Sequence, residues 1–383
     1  MTKLRTIATL SARVSDKTVW TFVTVEAEDG RRGWGEATLQ GEADAVHREV
    51  AQLRATLLGR ELSSQSEIRQ IVGTCGRDRA QATAISALDQ AVGDVVAQSS
   101  GQSLAAALGS APCDTIKLYA NINRGTLDRS PAGFAARALE VKQRGFDAVK
   151  IAPFDEIRPG EATPAGAIDP GVARIAAVRA AVGPEIHLLV DCHWRLTEAL
   201  AHDVLREIEP LKLYWFECPL PEQPANFDAL RRLRARANAD GVRLAGCEMM
   251  TGLDGFRPYL EAGIYDAIMP DVKYAGGLRE LLRIGEFAAS HGVACSPHNP
   301  SGPIAHAHSL HLSAHLPSCP FLEYQYDESP LFFDFVSGVL PDPRSGTSAL
   351  PQGTGLGIGI GGPALRRCLI AVDGIENLDE VMP

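Results

Sequence analysis

Apolar and polar positions change rhythm once along this chain, near Thr115. Before it, Val19–Ala27 (VWTFVTVEA), the acidic turn Glu28-Asp29-Gly30 and Gly33–Leu39 read as a hairpin, because β-branched and aromatic residues flank an Asp-Gly pair. Helical spacing follows at about 42–58, 64–73 and 79–98. Thr83–Ala97 (TAISALDQAVGDVVA) repeats its apolar residues every three to four positions and so buries one broad face. From Thr115 a short β-rich run, a loop and an amphipathic helix recur. The candidate strands are 116–122, 147–154, 186–194, 213–220, 243–248, 265–272, 293–297 and 321–326, with seven helical segments between them. Alternating β and α units imply parallel strands, and eight can close on themselves, so a (β/α) barrel is the economical reading. An open doubly wound sheet is the alternative, but no Gly-rich phosphate fingerprint follows the first strand. The tail GTGLGIGIGGP (353–363) predicts irregular chain packing back on the N-terminal part.

With 383 residues the chain is long enough for two domains, and 45% hydrophobic with 22% charged residues is the balance of a globular enzyme, which excludes disorder as a main theme. The net charge of −10 repels phosphate backbones, so nucleic acid is not an expected partner. The apolar stretch after Lys3 and Arg5 is broken by Thr6, Thr9 and Ser11 and makes a poor signal-peptide core. No segment has the apolar length of a membrane span. Eight cysteines (Cys75, Cys113, Cys192, Cys218, Cys247, Cys295, Cys319, Cys368) without a CxxC pair read as reduced thiols of a cytoplasmic protein.

Chemistry enters with the acids at the strand ends. Asp191, Glu217, Glu248, Asp271 and Glu323 follow one another at intervals of 26, 31, 23 and 52 residues, the last spanning two units with His298 between. A barrel unit is about 30 residues long, so these side chains reach the same mouth. One such acid alone is commonly a solvated loop residue; five in register are not. Clustered carboxylates repel unless a cation neutralises them, and Asp191, Glu217 and Glu248 from three successive strands suit Mg²⁺. Strand alternation puts His193 on the face of Asp191, near the metal, either as a functional group or as a hydrogen-bond partner. Cys192, Cys218 and Cys247 face the helices as small buried hydrophobes. Asp271 and His298 end neighbouring strands and form a candidate general-base dyad. His306, His308, His311 and His315 lie on the next helix, and nothing requires them to bind metal. Asn121, Arg13 in a short N-terminal loop over the barrel mouth, Arg195 and Lys273 are the candidate substrate-binding residues, each cation being alternatively a surface charge.

The pattern resembles the enolase superfamily and, within it, the mandelate racemase-like group. GWGEATL (33–39) resembles its capping-domain strand, and AISALDQAVGDVVAQSSGQSLAAALG (84–109) its helix leading into the barrel. Asp191 in VDCHW, Glu217 in FECPLPE and Glu248 in GCEMM match the metal acids, Asp271 in PDVKYAGGL and His298 match the dyad, and Glu323 in FLEYQ matches a hydrogen-bond donor to the substrate carboxylate. The resemblance implies a (β/α)7β TIM-type barrel at 113–326, with an α+β capping domain built from 1–112 and completed by 327–383, and a homo-oligomer. The group carries Lys-x-Lys on strand two; here Lys150 is followed by Ala152, so two-base racemisation is not expected. The implied reaction is Mg²⁺-dependent dehydration of a small acid sugar. His298 removes the α-proton, Lys150 and a protonated Glu323 hold the enediolate, and His193 or His298 itself assists loss of water to a 2-keto-3-deoxy acid. Galactarate is the first substrate expectation and an aldonate the second. An epimerase or cycloisomerase using the same enolate, and a metal-binding module without turnover, are the alternatives.

Overall fold

The computed structural model describes residues 2–62, 65–73, 76–109, 113–161, 164–343 and 345–380. Its first unit is an antiparallel sheet of β1 (Thr2–Arg13), β2 (Val19–Ala27) and β3 (Arg32–Glu36), the last two forming the predicted hairpin. β1 itself was not legible, and Arg13, expected in a loop, is its exposed final residue, paired with Val19. Of the polar residues that interrupt its apolar run, Thr9 and Ser11 are buried and satisfied from elsewhere. Thr9 Oγ1 and Ser11 Oγ lie 2.9 and 2.8 Å from the two ring nitrogens of His47, on α1 (Ala43–Leu57).

The long helix α2 (Arg79–Ser99) packs on β3 at a spacing that only glycine permits. A Cβ added at Gly35 would stand 2.0 Å from the carbonyl oxygen of Ala87, and one at Gly33 2.0 Å from that of Ala91. Gly35→Ala should therefore destabilise the protein by about 3 kcal/mol in urea titration, because the clash is with backbone. Gly361→Ala, whose Cβ would meet nothing within 4 Å, should change stability by less than about 0.5 kcal/mol; equal midpoints for the two variants would refute this account of the motif.

The second unit is the barrel: β4 (Thr115–Asn121), β5 (Ala148–Ile151), β6 (His187–Asp191), β7 (Trp215–Glu217), β8 (Arg243–Gly246), β9 (Ala267–Ile268), β10 (Ala294–Cys295) and β11 (Leu322–Gln325) pair in parallel in this order, and β11 returns to β4. Between β10 and β11 the ring is joined by Cys295 N–H to Ser318 O at 2.8 Å and Glu323 N–H to Pro297 O at 3.3 Å. Seven helices alternate with the strands: α3 (Pro131–Gln143), α4 (Asp169–Val182), α5 (Glu198–Ile208), α6 (Phe227–Ala239), α7 (Gly252–Glu261), α8 (Leu278–Ser290) and α9 (Pro303–Ser313). The architecture is the TIM-type barrel with a capping domain. Inside it, Tyr119, Ala148, Leu189, Trp215, Ala245, Ala267, Met269 and Phe321 form an apolar plug. Two residues further along four of these strands stand Asn121, Lys150, Asp191 and Glu217, so strand alternation sets a polar layer directly on the plug.

The tail serves both units. β12 (Thr347–Ala349) lies antiparallel on β4, and β13 (Leu369–Asp373) pairs with β1, Thr9 opposite Asp373. Its Gly-rich stretch packs on the N-terminal part as expected, with Leu356 N–H bonded to Asp94 on α2 at 2.8 Å. The barrel helix α9 is stitched to its surroundings by buried groups. Glu36 of β3 accepts Gly302 N–H at 2.7 Å and Ala305 N–H at 2.9 Å; His308 donates to Trp34 O at 2.8 Å and His311 to Leu356 O at 3.1 Å. His315 donates to Ala105 O at 2.9 Å. These histidines hold domains together and bind no site residue. Cys113, Cys192, Cys218, Cys247, Cys295, Cys319 and Cys368 are free thiols, while Cys75 lies outside the described residues. Among the described residues no helix is long and apolar enough to cross a membrane.

Candidate active site

β6 and β7 deliver Asp191 and Glu217 as their last residues, directly paired in the sheet, and Glu248 follows β8 by two residues. Carboxylate oxygens of the three lie within 4.8 Å of one another, and all three side chains are buried. Burial pushes the Glu217 carboxyl up to about 7, with repulsion from Asp191 and Glu323 adding to it against the pull of Lys150. Glu248 is raised well above the carboxylate range by burial and then by Asp191 and Glu217. Asp191 goes the other way, to about 2, because His193 and Lys150 outweigh its burial. Such a cluster asks for a cation, and Glu248 Oε2, buried without a hydrogen-bond partner, is a free ligand atom. An all-oxygen set of three carboxylates fits a hard divalent ion.

Lys150 on β5 is buried between two acids, 2.7 Å from Glu217 Oε1 and 3.1 Å from Glu323 Oε1. Despite burial its ammonium is held well above the ordinary range, first by Glu217 and then by Glu323. Trp215 Nε1–H donates to the second oxygen of Glu217 at 2.9 Å. Glu323 departs from expectation. It accepts Asn121 Nδ2–H at 2.6 Å and Asn299 N–H at 2.9 Å, and although burial raises its carboxyl, Lys150 and His298 bring it below the usual range. In this arrangement its oxygens face donors from Asn121, Asn299 and Lys150, where the resemblance implied a protonated donor to the substrate.

His193 is brought to Asp191 by a turn and not by strand alternation. β6 stops at Asp191, and His193 and Trp194 take left-handed φ values of 47° and 57°. Two consecutive non-glycine residues in that region cost roughly 1–2 kcal/mol each, strain that marks a site held by its surroundings. The result is an imidazole Nε2 2.7 Å from Asp191 Oδ2, with the His193 backbone N–H on Asp191 Oδ1 at 2.8 Å. At the other end of the acid row His298 Nδ1 lies 2.8 Å from Asp271 Oδ2, and its Nε2 lies 3.7 Å from Glu248 Oε2. Two imidazoles therefore flank the acids, one at Asp191 and one at Glu248.

The expected substrate cations are placed differently. Arg195 donates to the carbonyls of Phe154, Asp155 and Ile157 at 3.0, 3.3 and 3.1 Å, fixing the loop after β5. Lys273 is buried under the dyad, 2.7 Å from Asp271 Oδ2. Arg13 is exposed, and Asn121 stands beside Glu323. Sequence reasoning missed Glu36 and Ser301, which seat the loop carrying His298, and Tyr274, whose hydroxyl is 3.4 Å from His298 Nδ1. For Tyr274 the only signal was its place in PDVKYAGGL; Glu36 acts across domains and Ser301 on Lys273, 28 residues away, where spacing is silent.

Comparison with known proteins supplies a family context. The mandelate racemase / muconate lactonizing enzyme N-terminal domain model matches residues 2–109, and the enolase C-terminal domain-like model matches 133–363. The D-galactonate dehydratase of Ralstonia pickettii is 31% identical over 296 residues, covering 76% of this chain and 75% of that protein. That of Verminephrobacter eiseniae is 32% identical over 297 residues, with coverage of 76% and 75%. Among solved structures, a mandelate racemase/muconate lactonizing enzyme-like protein from Rubrobacter xylanophilus is similar at TM-score 0.86 and 27% identity, covering 98% of this chain and 99% of that one. The 3,6-anhydro-D-galactonate cycloisomerase of Zobellia galactanivorans is similar at TM-score 0.84 and 25% identity, over 96% and 100% of the two chains.

Proposed function

Because this chain belongs to the mandelate racemase / muconate lactonizing enzyme family of the enolase superfamily, we propose that it is a Mg²⁺-dependent dehydratase of acid sugars, converting an aldonate such as galactonate into a 2-keto-3-deoxy acid. The observation that carries this reading is the pair of imidazoles flanking the acid row, with Ala152 where a second base would stand. One base and one acid serve an elimination; racemisation needs a base on each face.

Asp191, Glu217 and Glu248 would hold the ion, which when bound polarises the substrate carboxylate and makes the adjacent C–H more acidic. His298, oriented by Asp271, takes the α-proton on Nε2. Lys150 supplies positive charge beside the oxygens that become negative. His193 delivers a proton to the departing β-hydroxyl, and the enol left behind tautomerises to the keto acid. Glu323 and Asn121 set the position of Lys150 and line the floor of the site. The placement of the cations supports a monoacid over a diacid such as galactarate, because Arg195 and Lys273, two of the three candidates for a second carboxylate, are committed to loop carbonyls and to Asp271.

The test is a screen of the purified protein with Mg²⁺ against aldonic and aldaric acids, scoring 2-keto acid by semicarbazide absorbance. Turnover of galactonate or a close aldonate, abolished by EDTA, is expected. Absence of keto acid from every acid sugar would overturn the dehydratase reading. The likeness to the cycloisomerase favours a second reading, for which exchange of the α-proton with solvent deuterium without loss of water would be the mark.

A further inference from the structure

Lys273 takes no part in the steps above, yet it is one of the few fully enclosed cations of the molecule, 3% exposed. Its ammonium is bonded to Asp271 Oδ2 at 2.7 Å and to Ser301 Oγ, and its backbone N–H donates to Asp271 Oδ1 at 2.8 Å. Asp271 is itself fully buried, and the oxygen that takes Lys273 is the one that takes His298 Nδ1, at 2.8 Å. A carboxylate oxygen has lone pairs for both donors. A cation held in this way beneath the dyad does not reach substrate.

Its purpose follows from the charges around it. A base ready for use is a neutral imidazole, so at that moment Asp271 draws no positive charge from His298. Tyr274 offers only a hydroxyl, 3.4 Å from Nδ1, and Arg79 of α2 bears on that tyrosine, so among the described residues Lys273 is the cation in direct contact with Asp271 besides His298. Glu36 of the capping domain is also within electrostatic reach of Lys273. A buried carboxylate with no cation takes up a proton. Protonated Asp271 would donate to Nδ1 and drive the imidazole hydrogen onto Nε2, the nitrogen that faces the acid row. In that tautomer the ring has no lone pair for an α-proton.

We infer that Lys273 is a positioning residue, which by holding Asp271 as an acceptor fixes His298 in the Nδ1–H tautomer and leaves Nε2 bare. The carboxyl of Asp271 is in fact below the ordinary range, burial being overcome by Lys273 first and His298 second. Ser301, the second partner, directly precedes Gly302, whose N–H binds Glu36, so the seat of the lysine is fastened to the capping domain. The inference rests on His298 being the base of the reaction proposed above.

The experiment is ¹⁵N NMR of histidine-labelled enzyme without substrate, the His298 signals being those that vanish in His298→Asn. Wild type and Lys273→Arg should show Nδ1–H with a bare Nε2. Lys273→Met should move the hydrogen to Nε2, and in kinetics should lower kcat by about 10²-fold with KM within about threefold, the pattern of a wrongly oriented base. If Lys273→Met does not fold, Lys273→Gln takes its place, since it keeps a hydrogen bond to Asp271 without the charge. An unchanged tautomer in the neutral variant, or Nε2–H in the wild type, overturns the proposal whatever the activity. Because the spectrum needs no substrate, a failed substrate assignment leaves this result standing.

Discussion

His298→Asn lowers kcat on the acid sugar by at least about 10³-fold, equivalent to about 4 kcal/mol of transition-state stabilisation, while Mg²⁺ affinity stays within about threefold. The asparagine amide can keep the hydrogen bond to Asp271, so the loop after β10 and its contact with Glu36 remain seated. What is lost is the ring nitrogen placed 3.7 Å from Glu248, and with it the acceptor that the proposed mechanism gives the α-proton. No second base compensates, because the position two residues after Lys150 is the buried Ala152. Isothermal titration with Mg²⁺ and initial rates on the same preparation make the check. Activity within tenfold of wild type would remove His298 from the role of base, and a parallel loss of metal affinity would make it a ligand.

Acidification from pH 7 to pH 5 strips roughly 6 kcal/mol of histidine-linked stability from the fold, a large share of the 5–15 kcal/mol that holds a typical protein together. The cause is the row of enclosed histidines on α9. Burial lowers His306 and His308 to about 3 and His311 to about 4, whereas in the unfolded chain each titrates near the ordinary histidine value of about 6.5. A base with a depressed folded pKa stabilises the fold only above its unfolded pKa. Below about pH 6.5 the unfolded chain takes up protons that the fold refuses, and each ring costs roughly 2 kcal/mol by pH 5. The carboxyl of Asp94, raised to about 6 by burial, acts in the opposite sense, because its folded state welcomes a proton, and it returns roughly 1–2 kcal/mol. His47 and His315, also lowered chiefly by burial, add to the histidine loss, while Glu217, raised to about 7, and the likewise raised Glu36 and Glu248 act with Asp94. Urea midpoints of wild type and of a variant lacking one ring, measured at pH 7 and pH 5, isolate the histidine share. His311→Gln, whose amide can still donate to Leu356 O, should lose roughly 2 kcal/mol less than wild type between pH 7 and pH 5. An equal change between pH 7 and pH 5 in wild type and His311→Gln would contradict the burial of this ring.

The barrel and its acid row were legible because each rests on local repetition. A unit of about 30 residues ends in a strand, and an acid at each end needs no distant partner to be recognised. Asp191, Glu217, Glu248, Asp271, His298 and Lys150 stand together for that reason. Other features depend on contacts that spacing does not encode. β1 looked like a broken apolar run because Thr9 and Ser11 are paid for by His47 on α1. The strand through DCHW ran too long because left-handed φ at His193 and Trp194 leaves no mark in β-propensity. Arg195 reads as a free cation until the loop after β5 folds beneath it. For Lys273 a clue was present, since it lies two residues from Asp271 on the same face of the chain.

The pairing of β13 with β1 joins residues more than 350 positions apart in sequence, Thr9 to Asp373. During synthesis on a ribosome the hairpin of the capping sheet emerges at once, but the free side of β1 waits until the whole barrel has been made. For that interval the nascent chain carries an open strand edge, the kind of surface on which chains associate wrongly. Truncating the gene product before Leu369 would make that exposure permanent. Leu369–Asp373 thus acts as a clasp on the finished molecule, and its loss should be felt first in yield and solubility, with the catalytic layer still intact.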